Sequence, residues 1–251
     1  MRPVSVLLGA GPSGRRRAAW RPLTGRDELE LAGCDYLAAV DWLGRMLAPA
    51  ASELRPGDLG QLCIDDVDRL FGAVYRYLFG DKAEMRQTCL DCGKAFELTI
   101  ALAQLGGGPD REAGGLDLAG GTRLRPVTVA HLARTAAGAD PDALIDAAIA
   151  ARGSDDRAAI VDAFDRLASP AIDTLETDCP HCGSGQRIAF DLSRFLLACV
   201  ARERPLLLRE AHLLARSYGW SFDEIMALDR PTRHELVRLA AGSAAAPRRA
   251  A

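Results

Sequence analysis

The chain has 251 residues, of which 49% are hydrophobic and 26% charged, with a formal net charge of -3. Such a composition belongs to a folded chain of one to three domains with a sizeable core and excludes a disordered tail or a fibre. The charge gives no global reason to hold nucleic acid or an anionic membrane, so any such contact must be local, and no apolar run approaches the roughly 18 residues of a spanning helix.

Val4 to Leu8 is apolar and short enough to be the core of a secretion signal. Signals place basic residues before the apolar stretch, whereas Arg15, Arg16 and Arg17 follow it, so the chain is expected in the cytoplasm. Glycine and proline mark residues 1–26 as an N-terminal strand or arm on a flexible glycine-rich link. Within it, Gly9-Ala10-Gly11-Pro12-Ser13-Gly14 matches the Gly-x-Gly-x-x-Gly dinucleotide fingerprint letter for letter. That fingerprint needs a helix starting at the second glycine and a buried second strand ending in an acid about 20 residues on. The arginine run, Pro22 and Gly25 break any such helix and no alternation of strands and helices follows. The segment therefore reads as a link and not as a phosphate cradle.

Residues 27–82 form a helical region. Leu29, Tyr36, Leu37, Val40, Leu43 and Leu47 predict a helix over 27–48, and the spacing from Ile64 to Leu78 predicts another over 63–79, with Gly80 as a left-handed cap. Trp20 and Trp42 are expected in the core.

Seven cysteines, an odd number, include four in two Cys-x-x-Cys pairs, which fits a reducing compartment and a metal better than a disulfide framework. Cys89-Leu90-Asp91-Cys92-Gly93 and Cys179-Pro180-His181-Cys182-Gly183 are one device used twice: a tight turn aims two thiolates at one ion, and the glycine permits the backbone shape behind it. Strand-like alternation follows each pair, at Ala95 to Ile100 and Arg187 to Leu192, as the arms of a zinc ribbon require. Between Cys92 and Cys179 lie 86 residues (93–178), far more than a simple ribbon holds. A folded insert with close ends removes the difficulty, because loop-closure entropy grows only logarithmically with length. Residues 83–105 with 172–195 are thus expected to be a split ribbon holding one structural Zn2+ through Cys89, Cys92, Cys179 and Cys182. Four thiolates leave no open position for catalysis. His181 stands inside the second knuckle as a competing ligand. Cys34, Cys63 and Cys199 lie among apolar neighbours, where a thiol behaves as a small hydrophobe.

The insert, 106–171, opens with a glycine-rich loop at Gly106 to Pro109 and Gly114-Gly115. A strand is predicted over Thr122 to Val127, then a helix from Val129, one from Asp140-Pro141 through Ile149, and one from Ser154-Asp155 through Leu167. Residues 196–241 carry three helices. The first passes through Leu206 to Leu214 and stops at Tyr218-Gly219. Ser221 and Glu224 form a capping box for the second, whose apolar face is Phe222, Ile225 and Leu228. The third starts near Asp229 and carries Leu236, Val237 and Leu239. Residues 242–251 are expected to be a disordered tail. Tyr218, Trp220 and Phe222 are the candidate protein-interface residues, an aromatic cluster of the kind that dominates interface energetics, with core packing as the plainer reading. His131, His212 and His234 read as helix-surface or interface residues. With no catalytic constellation in view, the chain is not expected to be an enzyme. The fold class expected is α+β, mostly α.

The ordered set Arg21-Pro22-Leu23-Thr24-Gly25-Arg26-Asp27-Glu28, Asp66 to Leu70, Leu78-Phe79-Gly80-Asp81, the two knuckles, and Arg209 to Ala215 through Tyr218 to Leu228 resembles the T-even-like baseplate hub or hub-assembly family of contractile phage tails and contractile injection systems. The resemblance spans most of residues 20–240 and implies a non-enzymatic assembly role, with other baseplate and hub proteins as partners and no membrane. The rival expectation is a zinc-containing nucleic-acid-binding protein. In it the closing helices form a helix-turn-helix with Arg230, Arg233, His234 and Arg238 on the last helix. Balancing acids and the acidic total weigh against that reading.

Overall fold

The computed structural model describes residues 4–9, 11–104, 115–136, 140–168 and 173–245. About 53% of the chain is helical, with small sheets, so the fold is mixed with helix in the majority. The loop glycines from Gly106 to Gly114 lie outside the described residues.

Val4–Leu7 (β1) and Arg17–Trp20 (β2) pair antiparallel, with Val4 opposite Trp20. The link expected to be flexible is the loop of this hairpin, and it is pinned. The amides of Gly9 and Gly11 donate to the two oxygens of the Asp66 carboxylate at 2.6 and 2.9 Å. Gly11 has φ of 60°, and a Cβ there would stand 1.9 Å from the Arg15 carbonyl oxygen, so no other residue fits. The dinucleotide-like run thus spends amides on an internal carboxylate, and where the fingerprint needs a helix its last three residues, Pro12–Gly14, make only a 3-10 turn. Trp20 and Trp42 are buried in the main core, as expected.

The single helix predicted over 27–48 is two. Thr24 and Asp27 form a capping box that opens α1 (Gly25–Leu31), and Asp35 caps α2 (Tyr36–Met46) by accepting the Ala38 amide at 2.8 Å. A polar cap in mid-pattern outweighs the apolar spacing. Helix α3 (Ile64–Phe79) begins one residue inside its predicted bounds, with Cys63 at its N-cap. Gly80 ends it at φ 89°, but ψ of -167° makes this an extended exit and not the left-handed helical cap predicted.

Two antiparallel hairpins follow from the cysteine segments: Lys82–Thr88 (β3) with Ala95–Ala101 (β4), and Asp173–Asp178 (β8) with Gly185–Phe190 (β9). The second arm ends two residues earlier than predicted because Asp191 caps the next helix. Between the hairpins, Leu116–Asp117 (β5), Arg123–Leu124 (β6) and Ile149–Ala151 (β7) make a small sheet beside α4 (Val129–Ala136), α5 (Pro141–Ala148) and α6 (Arg157–Ala168). The predicted strand over Thr122 to Val127 shrinks to β6, and Ile149 leaves the helix for β7. Asp155 does not start α6: its carboxylate takes the Gly120 and Thr122 amides, and Asp156 accepts the Ala159 amide instead. Leu124, Ile160 and Phe164 centre a core separate from the main one.

The last helices are α7 (Leu192–Tyr218), α8 (Phe222–Met226) and α9 (Arg230–Ala245). Helix α7 has 27 residues and runs unbroken through residue 196, with Pro205 inside it. Its first half packs in the main core through Leu196, Cys199 and Val200, and its second half meets α8 and α9. The predicted Ser221 and Glu224 box is present, and Gly219 ends α7 in the left-handed conformation. Leu228 falls outside α8. Helix α9 continues to Ala245, past the Gly242 at which disorder was predicted; residues 246–251 are not described.

An ion cluster fastens α9 to α1. Glu28 accepts from Arg230 at 2.6 Å and from Arg233 at 3.1 Å, while Arg233 also reaches Glu210 at 2.8 Å. Side-chain exposure is 2% for Glu28, 1% for Arg233 and 11% for Arg230, so these charges are shielded from water. Arg230 also covers the Phe79 ring at 5.2 Å.

Candidate metal centre

Each cysteine pair sits in the turn of one hairpin. In the first, the Cys89 amide donates to the Lys94 carbonyl at 3.0 Å and the Gly93 amide to the Cys89 carbonyl at 3.1 Å. In the second, Cys179 to Ser184 and Gly183 to Cys179 repeat the pattern at 2.9 Å each. Gly93 and Gly183 have φ of 69° and 74°, a region that favours glycine. The turn also aims amides at sulfur: Cys92 to Cys89 Sγ at 3.5 Å and His181 to Cys179 Sγ at 3.4 Å.

The hairpins meet tip to tip. Cys89 Sγ lies 3.7 Å from Cys182 Sγ, Cys92 Sγ lies 3.8 Å from Cys179 Sγ, and all four sulfurs fall within 4.8 Å of one another. A tetrahedral ion with metal–sulfur bonds of about 2.3 Å requires sulfurs about 3.8 Å apart. The donor set therefore fits a four-coordinate soft or borderline cation and has no ligand position to spare. Phe96, Ile188 and partly buried Met85, Leu98 and Leu175 wall the cluster from water on the hairpin side.

Two residues not foreseen from the sequence tie the hairpins together. Ser184 Oγ stands 3.6 Å from Cys89 Sγ and 3.3 Å from Cys182 Sγ. Gln186 accepts the Leu90 amide at 3.0 Å and donates to the Asp91 carboxylate at 3.0 Å and to Ser184 Oγ at 2.9 Å. A signal existed for it. On β9 the inward row is Gln186, Ile188 and Phe190, and a polar residue in an apolar row must have a buried partner. His181 is not part of the cluster: its Nε2 lies 3.1 Å from the Ala95 carbonyl oxygen, away from the sulfurs.

The thiols are unequal. The Cys92 amide, opposed by burial and helped by Ser184, holds Cys89 down to about 6, and the Ser184 hydroxyl and amide lower Cys182. Cys92 is pushed up to about 11: the Lys94 amide pulls it down, but burial and the neighbouring sulfurs outweigh that pull. Four thiolates this close repel one another, and a cation between them lets all four ionise.

The remaining cysteines stand apart. Burial, reinforced by Asp66, pushes Cys63 up to about 12, so it is a neutral thiol; it lines a cavity of about 290 Å³ with Tyr36, Leu132, Leu144 and Phe164. Burial likewise raises Cys34, and Cys199 is buried in the main core.

Tyr218, Trp220 and Phe222 are 39%, 37% and 48% exposed, and the first two stack at 5.1 Å, so all three lie at the surface and not in the core. His131 is buried, contrary to its expected surface position; His212 is exposed, and His234 reaches Glu210 at 3.2 Å. Among the described residues no helix is long and apolar enough to cross a membrane. Comparison of the chain with models of known protein families, with curated proteins and with solved structures gave no match.

Proposed function

We propose that this chain is a non-enzymatic structural or assembly protein in which one Zn2+, held by Cys89, Cys92, Cys179 and Cys182, locks a split ribbon into a protein-binding platform. The observation that carries the reading is the convergence of four sulfurs from two cysteine pairs that 86 residues (93–178) separate in the chain. Zinc suits an all-thiolate tetrahedron without redox demand, and a closed set stabilises fold and not chemistry. The exposed Tyr218, Trp220 and Phe222 supply the anchor such a platform needs. The sequence resemblance to baseplate hub and hub-assembly proteins names the setting, a contractile tail or injection system in the cytoplasm, with other hub proteins as partners.

The nucleic-acid reading has less support. Arg230 and Arg233, two of the basic residues it relies on, are engaged by Glu28 and Glu210.

The experiment is co-purification of tail or injection-system proteins from the native cell with tagged wild type, Trp220→Ala and Cys182→Ser. Trp220→Ala is expected to lose partners while keeping its melting temperature and zinc; Cys182→Ser is expected to lose zinc, stability and partners together. Full partner recovery with Trp220→Ala, or partners consisting only of nucleic-acid-associated proteins, would contradict the reading.

A further inference from the structure

Helix α7 carries a charge-sorted face that the described residues leave uncovered. Arg202, Arg209 and Arg216 recur every seven residues, two helical turns, and therefore lie along one side of the helix about 10.5 Å apart. All three are exposed. The acids of the same stretch point the other way, because Glu203 and Glu210 are held by Arg230 and Arg233 of α9. Among the described residues the one side-chain hydrogen bond of this arginine row is Arg202 to Cys199 Sγ at 3.2 Å, which leaves its charge uncancelled.

Beside the arginines runs a second exposed row, Ala198, Ala201, Pro205, Leu208 and His212, at alternating spacings of three and four. That spacing is the seam of a helix packed lengthwise on another, and the arginines occupy the flanking position whose charge selects the partner. Ala198, Ala201, Pro205 and Leu208 give a second helix an apolar surface to bury, with close approach at the two alanines, which a phosphate backbone does not use.

We propose that the outer face of α7 docks an acidic amphipathic helix of a partner protein, with carboxylates at seven-residue spacing opposite Arg202, Arg209 and Arg216. The proposal rests on the platform reading and names the chemistry of the partner.

The test uses the full-length, zinc-loaded protein and two labelled four-heptad peptides with leucine seams, one flanked by Glu and one by Lys, so that each repels its own copies. The Glu peptide is expected to bind at least about tenfold more tightly than the Lys peptide, from three exposed charge pairs, with the gap shrinking as salt rises. The combined variant Arg202→Glu, Arg209→Glu, Arg216→Glu reverses the preference; the corresponding Gln variant abolishes it, and circular dichroism confirms that both stay folded. Equal binding of the peptides, or binding of neither, overturns the proposal. Binding of a labelled duplex in place of the Glu peptide assigns the face to nucleic acid and overturns it as well. If the triple Glu variant keeps every partner that Trp220→Ala loses, the platform reading stands and this inference fails.

Discussion

The imidazole of His131 shows how one buried contact escapes a periodicity argument. Helical spacing puts His131 on a surface, but its Nδ1 accepts the Thr128 amide at 3.3 Å just before α4 and the ring is buried. Burial, then the charges of Arg125 and Arg134, lowers its pKa below the ordinary 6.5. A lowered folded pKa means that the unfolded chain binds the proton more readily. The stability His131 contributes is therefore present above pH 6.5 and is lost as pH falls toward the folded value. With excess Zn2+ present, melting temperature should fall between pH 7.5 and pH 5.5, and His131→Asn, which keeps an acceptor and cannot be protonated, should reduce that fall. An unchanged acid response in the variant would show that the fall comes from other groups. Cys89, Cys92, Cys179 and Cys182 were legible in the sequence because spacing alone implies their chemistry. Ser184 and Gln186 were not foreseen, since their roles depend on which hairpin tip faces which.

At the scale of elements, capping residues explain most differences between expectation and structure. Asp35 splits one predicted helix, and Asp155 gives up the start of α6 to hold two amides of a neighbouring loop. Short polar side chains compete locally with the apolar pattern, and only the folded chain shows which amides they take. Helix α7 passes Pro205 without stopping, although a proline cannot supply the amide that the Ala201 carbonyl would otherwise accept. Packing of both halves of α7, into the main core and against α8 and α9, offsets that lost bond. The Glu28 cluster makes the attachment of α9 to α1 a single buried unit. Glu28→Ala leaves Arg233 with Glu210 and Arg230 with Glu203 as their remaining carboxylates and should destabilise the protein by about 1–3 kcal/mol while leaving zinc content unchanged. Denaturant unfolding with parallel metal analysis reads both, and a loss below about 1 kcal/mol would show that water replaces the carboxylate.

The whole molecule is a helical body whose two hairpins, distant in sequence, meet at their tips. A mixed class with helix in the majority and the grouping of the two Cys-x-x-Cys pairs were readable beforehand, because apolar periodicity and Cys-x-x-Cys spacing are local signals. The pinned N-terminal hairpin was not, since the carboxylate that holds it belongs to α3, 55 residues beyond Gly11. A metal joining the hairpins closes a long loop and can contribute roughly 10–16 kcal/mol of folding free energy, enough to decide whether the platform forms. Zinc-edge X-ray absorption on the purified full-length chain tests this most directly, with metal stoichiometry from the same sample. The account predicts one zinc per chain with four sulfur neighbours at about 2.3 Å and no nitrogen or oxygen donor. A first shell containing light donors, or a metal content near zero in protein that is folded, would contradict it.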